Sequence, residues 1–179
     1  MISRYSIRHA KPQDVERIVR LNNQETQWVG ERDSDFFMRY LEVPHFYVAL
    51  DTRTEPIIEP EAEPITKHLG LDLLGFVLCM PESASYDSRN FLWFKQEYRN
   101  KRFNYIDRVV INPKVRRQGV ASMLYDRIIR ASGEILVVAE VSIDPVNDES
   151  IIFHERLGFK EVGQFSADGK KTCAMMVLD

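Results

Sequence analysis

Short runs rich in Val, Ile, Leu, Phe and Tyr recur along the chain, and such runs are typical of β-strands. Turn-forming residues bound most of these runs, as in the Asn112-Pro113 pair. The pattern predicts seven strands, at residues 5–10, 45–50, 69–80, 104–111, 134–143, 159–165 and 172–178.

Apolar residues at spacings of three and four predict four helices between these strands. The clearest helix covers about residues 118–131, where Val120, Leu124 and Ile128 share one face. The others are residues 12–22, a segment that begins at Ser34 and ends before Pro44, and about residues 148–157.

Two long connections differ in composition. Residues 51–68 interleave Glu with Pro, which disfavours both helix and sheet, so we expect a mobile acidic loop there. A partner-docking segment is the alternative for this loop. Residues 83–103 carry six aromatic side chains and are too apolar to be free of the domain. We expect this second connection to pack over a cleft, where it would form a wall of a substrate site.

The composition is that of an ordinary globular protein. Its 179 residues, 44% of them hydrophobic, are enough for one domain, which we expect to span residues 1–179. Cys79 and Cys173 both lie in apolar runs, so we expect reduced core thiols, as in a cytoplasmic protein. A net charge of −3 argues against nucleic-acid binding, and no apolar run is long enough for a membrane span.

Basic residues and a glycine stand where the fourth predicted strand gives way to the longest predicted helix. The string is Arg116-Arg117-Gln118-Gly119-Val120-Ala121. The first N–H groups of a helix lack intrahelical acceptors and can bind anions. Gly119 would let a phosphate approach the main chain, and Arg117 adds positive charge. The string therefore predicts a diphosphate site, and an exposed helix cap is the alternative.

Two blocks of this sequence resemble the GNAT superfamily of acyl-CoA-dependent N-acetyltransferases. The first block is Arg116, Gly119 and Ala121, which fill the family pattern Gln/Arg-x-x-Gly-x-Gly/Ala. The second is Asn147, His154 seven positions later, and then Gly158-Phe159. Both blocks occur in the family order with a strand between them, and the resemblance covers essentially the full chain.

The resemblance implies an α/β fold with a mixed sheet of about six to seven strands, flanked by about four helices. Two parallel strands, residues 104–111 and 134–143, would splay apart so that acetyl-CoA lies in the gap. The pantetheine arm would bind the backbone of Val109, Val110 and Ile111, and Asn147 would bind the pantetheine or its cysteamine end. The diphosphate would bind Arg116, Arg117, Gln118, Gly119, Val120, Ala121 and Ser122.

The residues for proton transfer are open to more than one assignment. His154 stands where the family most often has a Tyr that protonates the departing thiolate; it could be that acid, an orienting donor or a packed helix residue. The base that deprotonates the amine would be Glu140, which interrupts an apolar run, or Asp107 on the neighbouring strand. Two structural acids, or a water relay with no single base, are the alternatives.

The resemblance therefore implies an enzyme that transfers acetyl from acetyl-CoA directly to a primary amine in a ternary complex. The four His residues lack ligand spacing, so we expect no metal, and thiols in apolar strands disfavour a covalent route. The expected partner is a small-molecule or exposed-amine acceptor of unknown identity, and a homodimer is compatible with this interpretation. A catalytically silent acyl-CoA-binding or sensing module is the alternative.

Overall fold

One mixed sheet forms the framework of the protein, of which the computed structural model describes residues 4–52 and 72–179. The strands are β1 Tyr5–His9, β2 His45–Asp51, β3 Leu73–Pro81, β4 Phe103–Ile111, β5 Leu136–Asp144, β6 Lys160–Ser166 and β7 Thr172–Leu178. Their order in the sheet is β1-β2-β3-β4-β5-β7-β6. The pairs β1–β2, β5–β7 and β6–β7 are antiparallel, whereas β4–β5 is parallel. The predicted mixed sheet is thus confirmed.

Six helices lie between these strands in the described residues. They are α1 Val15–Asn22, α2 Thr26–Val29, α3 Ser34–Arg39, α4 Arg89–Glu97, α5 Val120–Ser132 and α6 Asp148–Arg156. In α5 the predicted apolar face is buried, because Val120, Leu124 and Ile128 are each at most 1% exposed. Helix α6 ends before Gly158, whose φ of 93° suits a glycine at a helix terminus.

The expectation that residues 83–103 form an irregular connection was wrong, because α4 occupies the middle of this segment. Its buried side is formed by Phe91 and Phe94, three residues apart. Leu92 between them is 48% exposed and hides the helical period, since four apolar residues stand in a row. Such a row does not by itself distinguish a helix from a strand or a packed loop.

The chain divides into two compact units. The first comprises Met1–Val77 and Val109–Asp126, and the second comprises Leu78–Arg108 and Arg127–Asp179. The expectation of one domain over residues 1–179 stays a prediction. The predicted acidic loop at residues 51–68 lies outside the described residues except for its first two positions. No helix in the described ranges has the length and apolarity to cross a membrane.

The parallel pair β4–β5 is joined along only part of its length. The register runs from Phe103 opposite Leu136 to Ile106 opposite Ala139. Both strands continue beyond these pairs, to Ile111 and Asp144 respectively. The next residue on each strand is a carboxylic acid, Asp107 on β4 and Glu140 on β5. The end of the pairing therefore places both candidate bases at the same level of the sheet.

Candidate functional site

The loop before α5 has the backbone geometry of an anion-binding site. A 3-10 turn at Pro113–Val115 precedes two residues with left-handed backbone, Arg117 with a φ of 61° and Gly119 with a φ of 84°. The N–H group of Met123 donates to the carbonyl of Gly119 at 3.0 Å. The N–H groups of residues 120–122 precede this bond, so they are available to an anion at the start of the helix.

Gly119 faces open space within this loop. A Cβ built on Gly119 would have no heavy atom within 4 Å, so a ligand atom could lie there against the main chain. The positive φ also disfavours any residue with a Cβ at this position. An open approach to a helix start, with cationic residues beside it, fits the diphosphate of a nucleotide cofactor.

Two of the predicted diphosphate ligands already have protein partners. The Nη2 of Arg116 lies 2.5 Å from Oε1 of Glu25, and the Oε1 of Gln118 accepts a hydrogen bond from the Tyr5 hydroxyl at 3.1 Å. These contacts brace the loop against the rest of the first unit. Arg117 is exposed, and no ion pair of its guanidinium is found in the described ranges, so it is the cation best placed to meet an added diphosphate.

The open space at Gly119 yields a prediction with a matched control. Replacing Gly119 with Ala is expected to weaken acetyl-CoA binding at least roughly tenfold, because the new methyl group occupies the approach to the main chain. The control is Gly133→Ala, since Gly133 also has a positive φ, 58°, and also has no atom within 4 Å of an added Cβ. Both variants bear a similar backbone cost of about 1–2 kcal/mol. Calorimetric titration measures the affinity, and equal losses in both variants would contradict a binding role for Gly119.

A glycine that the sequence analysis missed, Gly75, lies directly against the predicted pantetheine-binding segment, Val109 to Ile111. A Cβ on Gly75 of β3 would lie only 2.8 Å from the carbonyl oxygen of Val110, so no other residue fits there without displacing β4. The N–H group of Asn112 donates to the carbonyl of Leu74 at 2.8 Å and fixes the end of the segment. A glycine within an apolar strand is the sequence signal for such a close approach.

Asp107 in the second unit has both carboxylate oxygens engaged. Its Oδ1 accepts a hydrogen bond from the Tyr86 hydroxyl at 2.5 Å, and its Oδ2 lies 2.6 Å from Nε of Arg108. The Asp107 and Arg108 side chains are only 5% and 2% exposed, so removal of either partner would leave a buried, uncompensated charge. An acid bound in this way is poorly placed to receive a proton from a substrate.

Glu140, in contrast, has one carboxylate oxygen to spare. Its Oε1 accepts a hydrogen bond from Nδ2 of Asn90 at 3.0 Å, while its buried Oε2 has no hydrogen-bond partner in the described part of the chain. Burial, and after it the negative charge of Asp107, raise the pKa of Glu140 to about 7 against the lowering effect of Tyr105 and Asn90. A carboxyl group with a pKa near neutrality can exchange protons at physiological pH.

His154 lies on α6, where it is packed rather than exposed. It is 2% exposed, its ring meets that of Phe159 edge to face, and its Nδ1 lies 2.8 Å from the carbonyl oxygen of Ser150. This contact requires the hydrogen on Nδ1, which leaves none on Nε2 of a neutral ring. Burial lowers the pKa of His154, so the neutral ring prevails at physiological pH. Such a ring is a weak proton donor to a thiolate.

Asn147 occupies the start of the same helix. Its side-chain oxygen accepts a hydrogen bond from the N–H group of Ser150 at 3.2 Å, which caps α6. The amide oxygen therefore has a structural role, and the Nδ2 group is the part of Asn147 that a pantetheine carbonyl would meet.

Both cysteine thiols are buried in the second unit. Burial raises the pKa of Cys79, with Asp107 adding to the rise, and burial raises the pKa of Cys173 to about 11, with Glu140 adding to that rise. Neither thiol forms an appreciable thiolate near pH 7, so neither is a suitable nucleophile for a covalent intermediate.

Three residues that the sequence analysis did not single out complete the surroundings of the two acids. Tyr86 and Asn90 bind Asp107 and Glu140 respectively, and Tyr105 contributes a buried hydroxyl. Tyr105 lies on β4, as Asp107 does. Its position two residues before Asp107 was the available signal, because side chains two apart share a face of a strand.

A comparison with models of known families matches residues 16–159 to the acetyltransferase (GNAT) family. The chain belongs to the GNAT acetyltransferase family. No curated sequence matches the chain significantly. The resemblance first seen in the two short blocks is therefore confirmed by a match over most of the chain.

Solved structures of GNAT proteins share the fold at low sequence identity. Arabidopsis thaliana NAA60, solved with a bisubstrate analogue, has 18% identity and a TM-score of 0.68, with 97% of each chain covered. The protein yncA of Salmonella typhimurium, solved with acetyl-CoA, has 18% identity and a TM-score of 0.64, with 99% of this chain and 94% of that chain covered. The Vibrio cholerae spermidine N-acetyltransferase SpeG has 15% identity and a TM-score of 0.62, with 98% and 93% covered. These likenesses confirm the fold.

Proposed function

We propose that this GNAT protein is an N-acetyltransferase that transfers acetyl from acetyl-CoA directly to a primary amine. Family membership and the loop before α5 support acetyl-CoA as the acetyl donor. The observation that supports catalysis is the buried Oε2 of Glu140, which has no hydrogen-bond partner in the described part of the chain. Acetyl-CoA would supply the acetyl group as an activated thioester.

Glu140 acts as the general base in this proposal. A primary amine is mostly protonated near pH 7 and cannot attack a carbonyl carbon until it loses a proton. The free Oε2 of Glu140 takes that proton, and the pKa of about 7 suits the transfer because the carboxylate is still abundant at pH 7.5. Asp107 assists through its negative charge and is proposed as a positioning residue instead of a second base.

The diphosphate binds at the start of α5 in this proposal. The N–H groups of residues 120–122 and the main chain at Gly119 contact the phosphates, and Arg117 supplies the positive charge. Arg116 acts indirectly, because its ion pair with Glu25 holds the loop in shape. Asn147 donates from its Nδ2 to the pantetheine arm, and His154 packs within α6, the helix that Asn147 caps.

The first experiment is a thermal melt with and without acetyl-CoA. At a concentration about 100-fold above the dissociation constant, acetyl-CoA should stabilise the protein by about 2.7 kcal/mol, or roughly 5–11 °C for a chain of this size. A panel of primary amines is then screened with detection of the free thiol that the transfer releases. Turnover of at least one amine supports the enzyme, and the absence of a thermal shift would overturn the cofactor assignment.

A catalytically silent acyl-CoA-binding or sensing module is the second candidate. The observation in its favour is His154, which stands at the position of the family's usual acid with its ring buried and neutral. This candidate predicts a normal thermal shift with acetyl-CoA and no release of thiol with any amine. The acetyltransferase hypothesis predicts both a thermal shift and thiol release, so the two measurements together distinguish an enzyme from a silent binding module.

A further inference from the structure

Three buried polar atoms without a partner lie around one carboxyl group. Within residues 4–52 and 72–179, the buried side-chain oxygen and nitrogen atoms that lack a hydrogen bond are Oδ1 of Asn90, the hydroxyl of Tyr105 and Oε2 of Glu140. Leaving such a group unsatisfied costs about 1–3 kcal/mol, and native proteins rarely tolerate several together. Their concentration at one place indicates a site that a ligand completes.

The contacts of Asn90 fix the neighbourhood of these atoms. Its Nδ2 donates to Oε1 of Glu140 at 3.0 Å, and the amide orientation follows because the opposite orientation would set an oxygen against the carboxylate. Each orphan oxygen shares a carbon atom with a member of this hydrogen bond, so Oδ1 of Asn90 and Oε2 of Glu140 are held near each other. Tyr105 is close enough for its pKa to be raised by burial and then by the charge of Glu140.

The chemistry of the three atoms selects the kind of ligand. The amide and carboxylate oxygens only accept hydrogen bonds. The Tyr105 hydroxyl directs its hydrogen toward the Glu140 carboxylate and thereby lowers the pKa of Glu140, and it can accept from a ligand through its lone pairs. The missing ligand must therefore bring several hydrogen-bond donors. A primary ammonium group has three N–H donors and no acceptor, and its positive charge is attracted by Glu140. The three oxygen atoms are themselves buried, but Glu140 stands just past the last β4–β5 pair, and Asn90 and Glu140 are half-buried as whole residues.

We propose that Oδ1 of Asn90, the Tyr105 hydroxyl and Oε2 of Glu140 form a subsite for a primary amine, with Asn90 as the residue that selects it over a secondary amine. The proposal rests on the proposed function, because it places the acceptor nitrogen beside the general base. One N–H proton passes to Oε2 of Glu140, and the nitrogen keeps a hydrogen bond to Oδ1 of Asn90 while its lone pair becomes free. An N-methylated acceptor lacks one donor and leaves one of the oxygens unsatisfied.

A binding experiment tests the subsite without any turnover. The titration of Glu140 is followed by carbon NMR, with the Glu140→Gln variant to assign the signal, in methylammonium chloride and in tetramethylammonium chloride at equal ionic strength. Methylammonium should lower the Glu140 midpoint by about one pH unit, because it supplies both charge and donors. Tetramethylammonium has the charge but no N–H group and should leave the midpoint unchanged.

Asn90→Leu and Asn90→Ser are the variants for this experiment. Both remove the amide oxygen, and the smaller Ser serves if Leu prevents folding; acetyl-CoA melting verifies the fold of each. The methylammonium shift should fall to less than half of its wild-type size in both. Equal shifts with the two cations, or an unchanged methylammonium shift in the variants, would overturn the subsite.

Kinetics then separate the subsite from the proposed function. With an amine that the wild-type protein acetylates, the preference in kcat/KM for that amine over its N-methyl derivative should fall about tenfold in Asn90→Ser, the size of one lost hydrogen bond. Thiol release without the methylammonium-specific shift would refute the amine subsite and support the acetyltransferase activity. The methylammonium-specific shift without thiol release would support the amine subsite and refute the acetyltransferase activity.

Discussion

Replacing Glu140 with Gln should reduce the rate of acetyl transfer at pH 7.5 by roughly 100- to 10,000-fold, the usual effect of losing a general base. Gln has the size of Glu and can still accept a hydrogen bond from Asn90, so the surroundings are retained. It cannot take a proton, and the ammonium form of the acceptor then stays unreactive. Acetyl-CoA affinity should be unchanged, since Glu140 is not part of the loop before α5 that we propose binds the diphosphate.

The pH dependence gives this prediction a second readout. The carboxylate is the active form, so wild-type kcat/KM for the amine should rise with pH through a midpoint near the pKa of about 7 of the free protein and then level off. The Glu140→Gln variant should lack that midpoint, and its defect should shrink at high pH as the amine loses its proton to solvent. Steady-state assays by thiol release at a series of pH values measure both effects.

Two control variants test the assignment of the base. Glu134→Gln removes an exposed carboxylate just before β5 and should leave kcat within about twofold of wild type, as expected of a surface substitution. Asp107→Asn tests the rival acid, whose two oxygens are already bound to Tyr86 and Arg108. If Asp107→Asn abolished the pH midpoint while Glu140→Gln kept it, the roles of the two acids would be reversed.

Reversing the charge of Arg117 should weaken acetyl-CoA binding by roughly 100-fold or more, equivalent to about 2.7 kcal/mol. The Arg117→Glu variant places a negative charge beside the start of α5, where we propose that the diphosphate binds. At a ligand concentration that stabilises the wild-type protein by about 2.7 kcal/mol, the variant should gain only about 0.4 kcal/mol. Melting curves with and without acetyl-CoA measure this loss.

Arg102→Glu is the matched control for charge reversal. Arg102 is exposed and lies outside the diphosphate loop, so this variant changes the net charge equally without touching the site. Its thermal shift with acetyl-CoA should match that of the wild-type protein. A full shift in Arg117→Glu would remove the assignment of the diphosphate site, and a lost shift in both variants would indicate a general electrostatic effect.

The fold was largely predictable because its signals are local. Strand periodicity and the apolar face of α5 depend on neighbours a few residues apart, and both were recovered. The helix α4 was missed because Phe91 and Phe94 are buried while Leu92 between them is exposed, and only packing reveals which of these residues faces the core. The short α2 carries too few residues to show a period.

The sequence by itself determined the family and the location of the proposed diphosphate-binding loop before α5, because a helix start, a glycine and basic residues are specified by adjacent positions. Only the tertiary structure distinguishes the two acids. Asp107 and Glu140 look equivalent along their strands, yet Tyr86 and Arg108 occupy both oxygens of one, while Asn90 leaves an oxygen of the other free. The hydrogen bond between Asn90 and Glu140 joins residues 50 positions apart. Such long-range contacts, together with burial, determine the pKa of Glu140.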